Sequence, residues 1–326
     1  MEPPSFIAGT GTWGHNVDEA LVRDQISSLK TLGVKQVDTA ALYPPTNPGQ
    51  AERLLGEIGY ANVGFLIDTK VLYFNQGTGT LTAEAIEKSV DQSLANLGAR
   101  KVNILYAQGP DHATPIAEQA AAFDAQYRKG KFSKLGLCNH SPEALEEWLE
   151  VADERGYVKP SVYQGQYNLL CRTYETTLFP LLRKNHIPFY AFGPLAGGFL
   201  TGKLTFSTGP YDLKGTRFEE SDGNVFGMAG RYWYDKPTFH EAVRRLSEAS
   251  KASGVEMIDA AVRWLLYHSS LDGTNGDTVI IGPRSAEQLD KYATALKAGP
   301  LNEKLVEVLN ALFEIVKEDA AVITMY

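Results

Sequence analysis

Three residues in the first quarter of the chain carry side chains that could move a proton together. Asp38, Tyr43 and Lys70 lie near the ends of two short runs rich in apolar residues. A carboxylate would hold the lysine ammonium, and the ammonium favours the phenolate form of a neighbouring tyrosine, which lowers the tyrosine pKa. An ordinary tyrosine, with a pKa of about 10, is a weak proton donor near neutral pH. The trio predicts a general acid, although each residue alone is more often part of a structural ion pair.

Three amide side chains extend this pattern along the chain. Gln108 and Asn139 follow the next two apolar runs, and Gln164 lies in a third. If the runs are the parallel strands of a closed barrel, their carboxyl ends meet at one rim. The sequence therefore predicts a polar site at that rim.

The elements that would position these residues repeat along the chain. Short runs of β-branched and aromatic residues alternate with longer amphipathic stretches, and successive runs lie roughly 30 residues apart, the length of one strand and one helix with their loops. We predict eight strands, at Phe6–Gly9, Lys35–Thr39, Phe65–Lys70, Val102–Ala107, Lys134–Cys138, Ser161–Gly165, Ile187–Phe192 and Thr278–Gly282.

Helical periodicity separates many of these strands. The pattern predicts helices at Ala20–Leu32, Thr82–Leu97, Ile116–Lys129 and Glu143–Arg155. The last follows Ser141 and Pro142, which suit a helix cap and a first turn. Eight strand–helix units without a linker between them predict a (β/α)₈ TIM barrel that forms one domain over residues 1–326.

One interval is too long for a single unit. Between Phe192 and Thr278 the chain has a glycine-rich segment, Gly193–Gly209, and an aromatic and charged stretch, Tyr211–Lys236, before two helical patterns. Loops at the carboxyl ends of barrel strands build the site, so we expect this loop after strand 7 to cover it. A terminal helix is expected from Asn302 to about Lys317.

The composition excludes several classes of protein. The chain has 326 residues, with 31 basic and 39 acidic side chains. The net charge of −8 disfavours a protein that binds nucleic-acid phosphates. No apolar run predicts a membrane span or a secretory signal, and two cysteines cannot form a disulfide framework. We expect a cytoplasmic globular protein.

A glycine motif near the N-terminus points elsewhere. Gly9–Gly14 matches G-x-G-x-x-G after a strand, which is typical of a Rossmann nucleotide site. In that fold a helix begins inside the motif, whereas helical periodicity here starts only near Asp18. We therefore interpret the motif as a turn above the first barrel strand, with Trp13 projecting over the mouth.

The sequence resembles the aldo-keto reductase superfamily, and within it the aflatoxin aldehyde reductase branch. The resemblance covers nearly the whole chain. The matching segments are Val37–Tyr43, Asp68–Lys70, Gly109–Pro115, Gly130–Leu137, Val162–Asn168, Phe189–Lys203, Arg231–Trp233 and Gly282–Ser285.

The resemblance implies a (β/α)₈ barrel that reduces aldehydes and ketones with NADPH and without a metal. It makes Tyr43 the general acid, Lys70 the neighbour that lowers its pKa and Asp38 the partner of Lys70. It also implies a homodimer. Residues implied to bind the cofactor are Asp38, Asn139, Gln164, Phe192, Gly193, Pro194, Leu195, Gly197, Gly198, Leu200, Gly202, Lys203, Gly282, Arg284, Ser285 and Gln288; Arg284 would favour NADP over NAD.

One position departs from the family pattern. Gln108 occupies the place of the fourth catalytic residue, a histidine. A glutamine can donate a hydrogen bond to a carbonyl oxygen, but it cannot ionise or relay a proton. We hypothesise that His140 points into the substrate pocket and supplies the missing imidazole; the alternative is that it only shapes the pocket wall.

The substrate is expected to be a small aromatic or polyketide-like carbonyl compound. Trp13, Trp233 and further aromatic residues would line the mouth, and Arg231 could pair with an anionic group. Two alternatives stay open. Loss of the histidine could favour enone reduction or a redox-neutral conversion, or the protein could be an NADPH-binding sensor subunit with low turnover.

Overall fold

Eight parallel strands close into a barrel in the order β1 to β8, with β1 paired to both β2 and β8. The computed structural model describes residues 2–15, 17–219 and 224–324. The strands are β1 Ser5–Gly9, β2 Gln36–Asp38, β3 Leu66–Lys70, β4 Val102–Ala107, β5 Phe132–Cys138, β6 Pro160–Gln166, β7 Phe189–Phe192 and β8 Thr278–Ile281. The predicted (β/α)₈ barrel is confirmed; the single domain over residues 1–326 stays a prediction.

Helices surround the barrel and connect its strands. They are α1 Glu19–Thr31, α2 Gln50–Ile58, α3 Ala83–Leu97, α4 Ile116–Arg128, α5 Pro142–Arg155, α6 Tyr174–Thr177, α7 Phe179–Lys184, α8 Val225–Tyr234, α9 Pro237–Ala252, α10 Met257–Tyr267, α11 Ala286–Ala298 and α12 Glu303–Ala321.

Local sequence signals set several of these boundaries. The hydroxyl of Ser141 accepts a hydrogen bond from the backbone N–H of Ala144, and Pro142 opens α5. Thr82 caps α3 in the same way, through Ala85. These caps satisfy backbone donors that have no partner inside the helix, which explains why both helices begin where the sequence predicts.

The alternation of side chains divides the apolar core into two parts. One lies between the strands and the surrounding helices. The other fills the barrel interior and includes Ile104, Tyr106, Cys138, Tyr190 and Ile280. Because successive strand residues point to opposite faces, residues two apart share the interior. The inward positions near the carboxyl ends of the strands therefore reach one common mouth.

The long connection between β7 and α9 is not a featureless loop. It contains short helical turns at Ala196–Thr201 and Pro210–Leu213, followed by α8. Phe199 and Tyr234 from this connection stack with ring centroids 5.6 Å apart. This stacking joins the two ends of the connection, and the Gln166 side chain of β6 donates a hydrogen bond to the Tyr234 hydroxyl, which ties the connection to the barrel. Residues 220–223 of the predicted stretch Tyr211–Lys236 lie outside the described residues.

Candidate active site

A buried ion pair lies at the carboxyl ends of β2 and β3. The Lys70 Nζ lies 2.7 and 2.6 Å from the two carboxylate oxygens of Asp38 and 2.9 Å from the carbonyl oxygen of Thr39. Lys70 is 1% exposed and Asp38 is 3% exposed. Burial lowers the pKa of Lys70, but the Asp38 carboxylate outweighs this effect, so the pKa is raised overall. The lysine therefore stays charged inside the protein.

The carboxylate of Asp38 is held by a second donor from across the barrel. The Gln164 side-chain nitrogen donates to Asp38 Oδ1 at 2.8 Å. Gln164 lies on β6, and its other amide atom, Oε1, accepts a weak hydrogen bond from the Cys138 thiol at 3.9 Å. Asp38 is thus fixed by groups from two directions, which leaves little rotational freedom for the ion pair.

Tyr43 lies on the other side of the lysine. The Lys70 Nζ is 5.1 Å from the centre of the partly exposed Tyr43 ring. Burial raises the pKa of the Tyr43 hydroxyl, and the charge of Lys70 and its hydrogen bond to the phenol offset only part of this effect. The predicted net lowering of the Tyr43 pKa is therefore wrong for this structure, although the predicted direction of the lysine's own effect is correct.

Gln108 and Asn139 meet at the ends of β4 and β5. The Asn139 side-chain nitrogen donates to the backbone oxygen of Gln108 at 3.1 Å, and Asn139 has a left-handed backbone with φ of 59°. The Oε1 atom of Gln108 is buried and accepts no hydrogen bond from a described residue. The Tyr73 ring packs against Gly109, where an added Cβ would come within 2.7 Å of it. The Gln108 side-chain oxygen can therefore accept a hydrogen bond from a ligand, whereas only its amide nitrogen could donate to a carbonyl oxygen.

The chain after β7 has the backbone of a ligand cradle. Gly193, Gly197 and Gly198 have φ of 69°, 66° and 104°, values that glycine adopts without strain. A Cβ at Gly197 would meet no described atom within 4 Å. The backbone here is therefore open on one side. Phe192, at the end of β7, packs against the barrel interior.

Other predicted cofactor residues of this segment have different environments. Pro194 and Leu200 are buried, whereas Lys203 is exposed. Gly202 is packed, because an added Cβ would come within 2.7 Å of Met257. Leu195 is partly buried against the core. Only part of this predicted cofactor-binding segment therefore offers its surface to a ligand.

A second cluster lies at the start of α11. Ser285 caps this helix, and the side-chain oxygen of Gln288 accepts a hydrogen bond from the Arg284 N–H at 2.9 Å. The Arg284 guanidinium donates to the carbonyl oxygen of Gly215 at 3.0 Å, which ties α11 to the long connection after β7. Gly282, just before this segment, is exposed.

Arg217 is a site residue that the sequence analysis missed. Burial and the nearby positive charge of Arg284 lower its pKa, and the charge of Tyr43 acts in the opposite direction. Arg217 thus lies close enough to Tyr43 and Arg284 for their charges to change its pKa. It sits in the connection after β7, where no periodic pattern marks it, so nothing short of a match to relatives could have found it.

Comparison with known proteins assigns the family. A profile described as the Aldo/keto reductase family matches residues 6–314. This chain is an aldo/keto reductase. An aldo-keto reductase of Pseudocercospora fijiensis is 35% identical over 91% of this chain and 98% of its own length. Aflatoxin B1 aldehyde reductase member 2 of Rattus norvegicus is 33% identical over 97% of this chain and 86% of its own length.

Another relative is the oxidoreductase sirO of Leptosphaeria maculans, which is 33% identical over 98% of this chain and 96% of its own length. The predicted resemblance to the aflatoxin aldehyde reductases is confirmed. The protein is an oxidoreductase of a family that acts on carbonyl compounds and generally uses a nicotinamide cofactor.

His140 does not enter the pocket of this aldo/keto reductase. Its ring packs edge-on against Trp148 of α5, with centroids 6.0 Å apart, and its Nδ1 lies 2.9 Å from the carbonyl oxygen of Cys138. The ring faces the helical layer because the left-handed turn at Asn139 redirects the chain as it leaves β5. The hypothesis that His140 replaces the family histidine beside Gln108 is therefore wrong.

Trp13 also differs from its prediction. It is 1% exposed and packs edge-on against Tyr60, with ring centroids 5.7 Å apart. The Gly9–Gly14 segment forms the predicted turn, and α1 begins only at Glu19. Trp13 belongs to the core beneath the turn and does not project over the mouth.

Two predicted substrate residues on α8 have structural contacts. The Arg231 guanidinium donates to Asp235 Oδ2 at 3.0 Å and to the carbonyl oxygen of Phe218 at 2.8 Å. These bonds tie α8 to the preceding connection, so the predicted anion contact of Arg231 would compete with them. Trp233 is partly buried against the core.

Within residues 2–15, 17–219 and 224–324, no three His, Cys, Asp or Glu side chains group as a metal site. In that part of the chain, no helix is both long and apolar enough to cross a bilayer.

Proposed function

We propose that this protein reduces an aldehyde or ketone to an alcohol with NADPH, and that Tyr43 donates the proton. The observation that supports this most directly is the buried Lys70 ammonium, which touches the Asp38 carboxylate on one side and the Tyr43 phenol on the other. A structural ion pair does not require a tyrosine beside it at the barrel mouth. Proton donation to a carbonyl oxygen does require an acidic group there, and the Tyr43 phenol is that group.

In the proposed mechanism Tyr43 transfers its proton to the carbonyl oxygen as negative charge develops there. Burial raises the pKa of Tyr43, which keeps the phenol protonated at neutral pH but also makes it a weaker acid, so proton transfer depends on the Lys70 charge, which favours the phenolate. The phenolate that forms is stabilised by the Lys70 ammonium, which Asp38 keeps in place. Gln108 would orient the carbonyl oxygen by donating a hydrogen bond from its amide.

The residues present fit nicotinamide adenine dinucleotide phosphate, which when bound supplies the hydride. Gly193 and Gly197 both have a left-handed backbone, and the backbone at Gly197 borders open space in which a pyrophosphate could approach its N–H group. The charges of Arg217 and Arg284 repel each other, and a dianionic phosphate between them would relieve that repulsion. Asn139 and Gln164 would bind the carboxamide, and Phe192 would pack against the ring.

To bind the carboxamide of the cofactor, Gln164 must either give up one of its present hydrogen-bond partners or share an atom between that partner and the carboxamide. Its side-chain nitrogen already donates to Asp38, while its oxygen has only the weak thiol contact of Cys138. The oxygen is therefore the atom that can accept a hydrogen bond from a carboxamide.

We propose an aromatic or polyketide-like carbonyl compound as the substrate. Phe74 and Tyr232 are 46% and 65% exposed, so their rings are available to contact a ligand. Tyr73 lies beside Gly109, next to Gln108. Flat aromatic substrates would gain contact area from such rings.

The test is to mix the purified full chain with NADPH and a panel of aldehydes, quinones and enones, to follow the cofactor absorbance, and to identify each product. Alcohol products are expected. Tyr43→Phe should lower kcat by about 10²–10⁴-fold while NADPH still binds. Tyr127→Phe, at an exposed tyrosine on α4, is the matched control and should behave as wild type.

Other outcomes would replace this proposal. Saturated ketone products from the enones would show that the protein reduces enones. The reason to consider this reaction is that Gln108 stands where the family has a histidine. Cofactor binding without any consumption would assign a sensor. Full activity of Tyr43→Phe would exclude the phenol as the proton donor.

A further inference from the structure

A cleft lies outside the barrel between the first turns of α4 and α5. Its volume is about 260 Å³. One wall is the segment that runs from Pro110 to Gln119, and the other runs from His140 to Glu147. These walls begin just after Gln108 and Asn139, so the cleft adjoins the candidate active site but opens on the helical side.

The first unusual feature of the cleft is the imidazole of His140. The Nδ1 atom lies 2.9 Å from the carbonyl oxygen of Cys138, and a carbonyl oxygen can only accept, so Nδ1 carries the hydrogen. Burial lowers the pKa of His140 to about 4, which keeps the ring neutral. Nε2 is therefore an acceptor. It is buried and has no hydrogen-bond partner among the described residues.

Gln119 provides a second acceptor of the same kind. Its Nε2 donates to the carbonyl oxygens of Asp111, at 3.0 Å, and Thr114, at 2.6 Å, which fixes the orientation of the amide. The Oε1 atom is buried and receives no hydrogen bond from the part of the chain that the structure describes. Gln119 is 2% exposed. A buried acceptor without a partner costs free energy, so two in one cleft call for donors.

The carboxylates around the cleft do not change this balance. Asp111 already accepts hydrogen bonds from the backbone of Leu81 and Ala113 and from the Thr114 hydroxyl. Glu147 is exposed at the edge. Neither group is a donor, and both disfavour an anionic ligand.

The remaining lining of the cleft is mixed. Pro110, Pro115, Ile116 and Ala144 form its apolar part, and His112, Thr114 and Ser141 add polar groups. A ligand that suits this surface has an apolar body, and its polar groups include donors for His140 Nε2 and Gln119 Oε1.

We propose that this cleft is an accessory binding site for a small neutral compound with an apolar body and hydroxyl donors, such as a diphenol. The hydroxyls donate to His140 Nε2 and Gln119 Oε1, and the ring packs against the prolines and Ile116. The site is distinct from the barrel mouth, and it does not depend on the proposed reaction.

The experiment titrates resorcinol into the full chain, with and without NADP⁺, and follows the ¹⁵N resonances of the histidine rings. Saturable binding with an upfield shift of His140 Nε2 is expected, because that atom accepts a hydrogen bond. The matched ligand is 1,3-dimethoxybenzene, which has the same ring but no donor. It should bind at least about ten-fold more weakly, as the loss of one or two hydrogen bonds predicts.

Variants locate the site. Ala144→Leu narrows the cleft and His140→Phe removes the acceptor but keeps a ring against Trp148; each should weaken resorcinol binding by about ten-fold or more. Ala125→Leu adds the same bulk at an exposed position of α4 outside the cleft and should bind as wild type. Tyr43→Phe, which alters the barrel mouth, should also bind as wild type.

Three results would overturn the proposal. They are equal affinity for the dimethoxy compound, no saturable shift of the His140 resonance, and loss of binding in Tyr43→Phe. If a cleft variant fails to fold, the comparison of the two ligands on the wild-type chain still decides the question.

Discussion

The ammonium of Lys70 contacts both carboxylate oxygens of Asp38 at the mouth of the barrel, where neither residue is more than 3% exposed. Two opposite charges in such a place depend on each other, because removing one leaves the other buried without compensation. This dependence can be measured separately from activity.

Asp38→Asn should lower the free energy of unfolding by about 3–5 kcal/mol, because it leaves the Lys70 charge buried and unpaired. Lys70→Met combined with Asp38→Asn should be less destabilised than Asp38→Asn alone. Urea denaturation of the two variants measures the difference. The Lys129–Glu87 pair, in which both side chains are half exposed, is the control, and Lys129→Met should cost less than about 1 kcal/mol. Equal losses in Asp38→Asn and the double variant would show that an unpaired Lys70 charge costs nothing at this position.

Asp68, deeper in the barrel, should make stability depend on pH. Burial raises its pKa to about 7, although the Gln36 and Asn103 side chains donate to its carboxylate. Between pH of about 4 and about 7 the unfolded chain has lost this proton while the folded chain retains it. The free energy of unfolding should therefore fall as the pH rises through this range, by up to about 4 kcal/mol, and stay level above it.

The variant Asp68→Asn removes the titrating group. The difference in unfolding free energy between wild type and Asp68→Asn should change in favour of the variant between pH 5 and pH 8. A difference that is the same at both values would mean that the carboxyl titrates in its ordinary range.

Gln108 should contribute to rate through its amide alone. Gln108→Ala is expected to lower kcat on the preferred carbonyl compound by on the order of 10²-fold, as loss of one oriented donor does elsewhere. Gln108→His restores an imidazole and should be at least as active as wild type on simple aldehydes. Steady-state kinetics measures both. Gln92→Ala, on the exposed face of α3, serves as the control. An unchanged kcat in Gln108→Ala would remove this residue from the mechanism.

Arg284 should set the preference between the two nicotinamide cofactors. Arg284→Ala is expected to weaken NADPH binding by about 10–100-fold, the value of one charge-assisted hydrogen bond, and to change NADH binding much less. Arg284→Lys keeps the charge and should bind NADPH better than Arg284→Ala. Titration by quenching of protein fluorescence gives the dissociation constants. Equal losses for both cofactors would indicate that Arg284 acts only by holding Gly215 in place.

The fold could be predicted from the sequence because the spacing of apolar residues in strands and helices is a local signal. The approach of Asp38 to Lys70 was also predictable, since the carboxyl ends of neighbouring parallel strands meet. The direction of the Tyr43 pKa was not, because it depends on how much water the surrounding residues exclude, which no spacing reveals. The His140 hypothesis failed for a similar reason: it rested on the position of His140 beside Asn139, and the left-handed backbone of Asn139 turns the chain there.

Arg217 and Trp13 show two ways in which the sequence fails to predict the site. One is a residue near the site that was missed, and the other is a core residue that was predicted to lie at the mouth. Arg217 lies in a connection without periodicity, so no pattern assigns it to the site. Trp13 has the residue type of a mouth residue, but its ring turns inward to Tyr60. In both cases tertiary packing decided the outcome.

Two independent structural requirements restrict the residue at position 139, which is Asn139. Its backbone requires a residue that tolerates φ of 59°, which asparagine and glycine do and most others do not, while its side chain must donate to the carbonyl oxygen of Gln108. Glycine would meet only the first demand and glutamine only the second. Engineers who wish to broaden the range of accepted compounds should therefore keep Asn139 and diversify Phe74, which is 46% exposed.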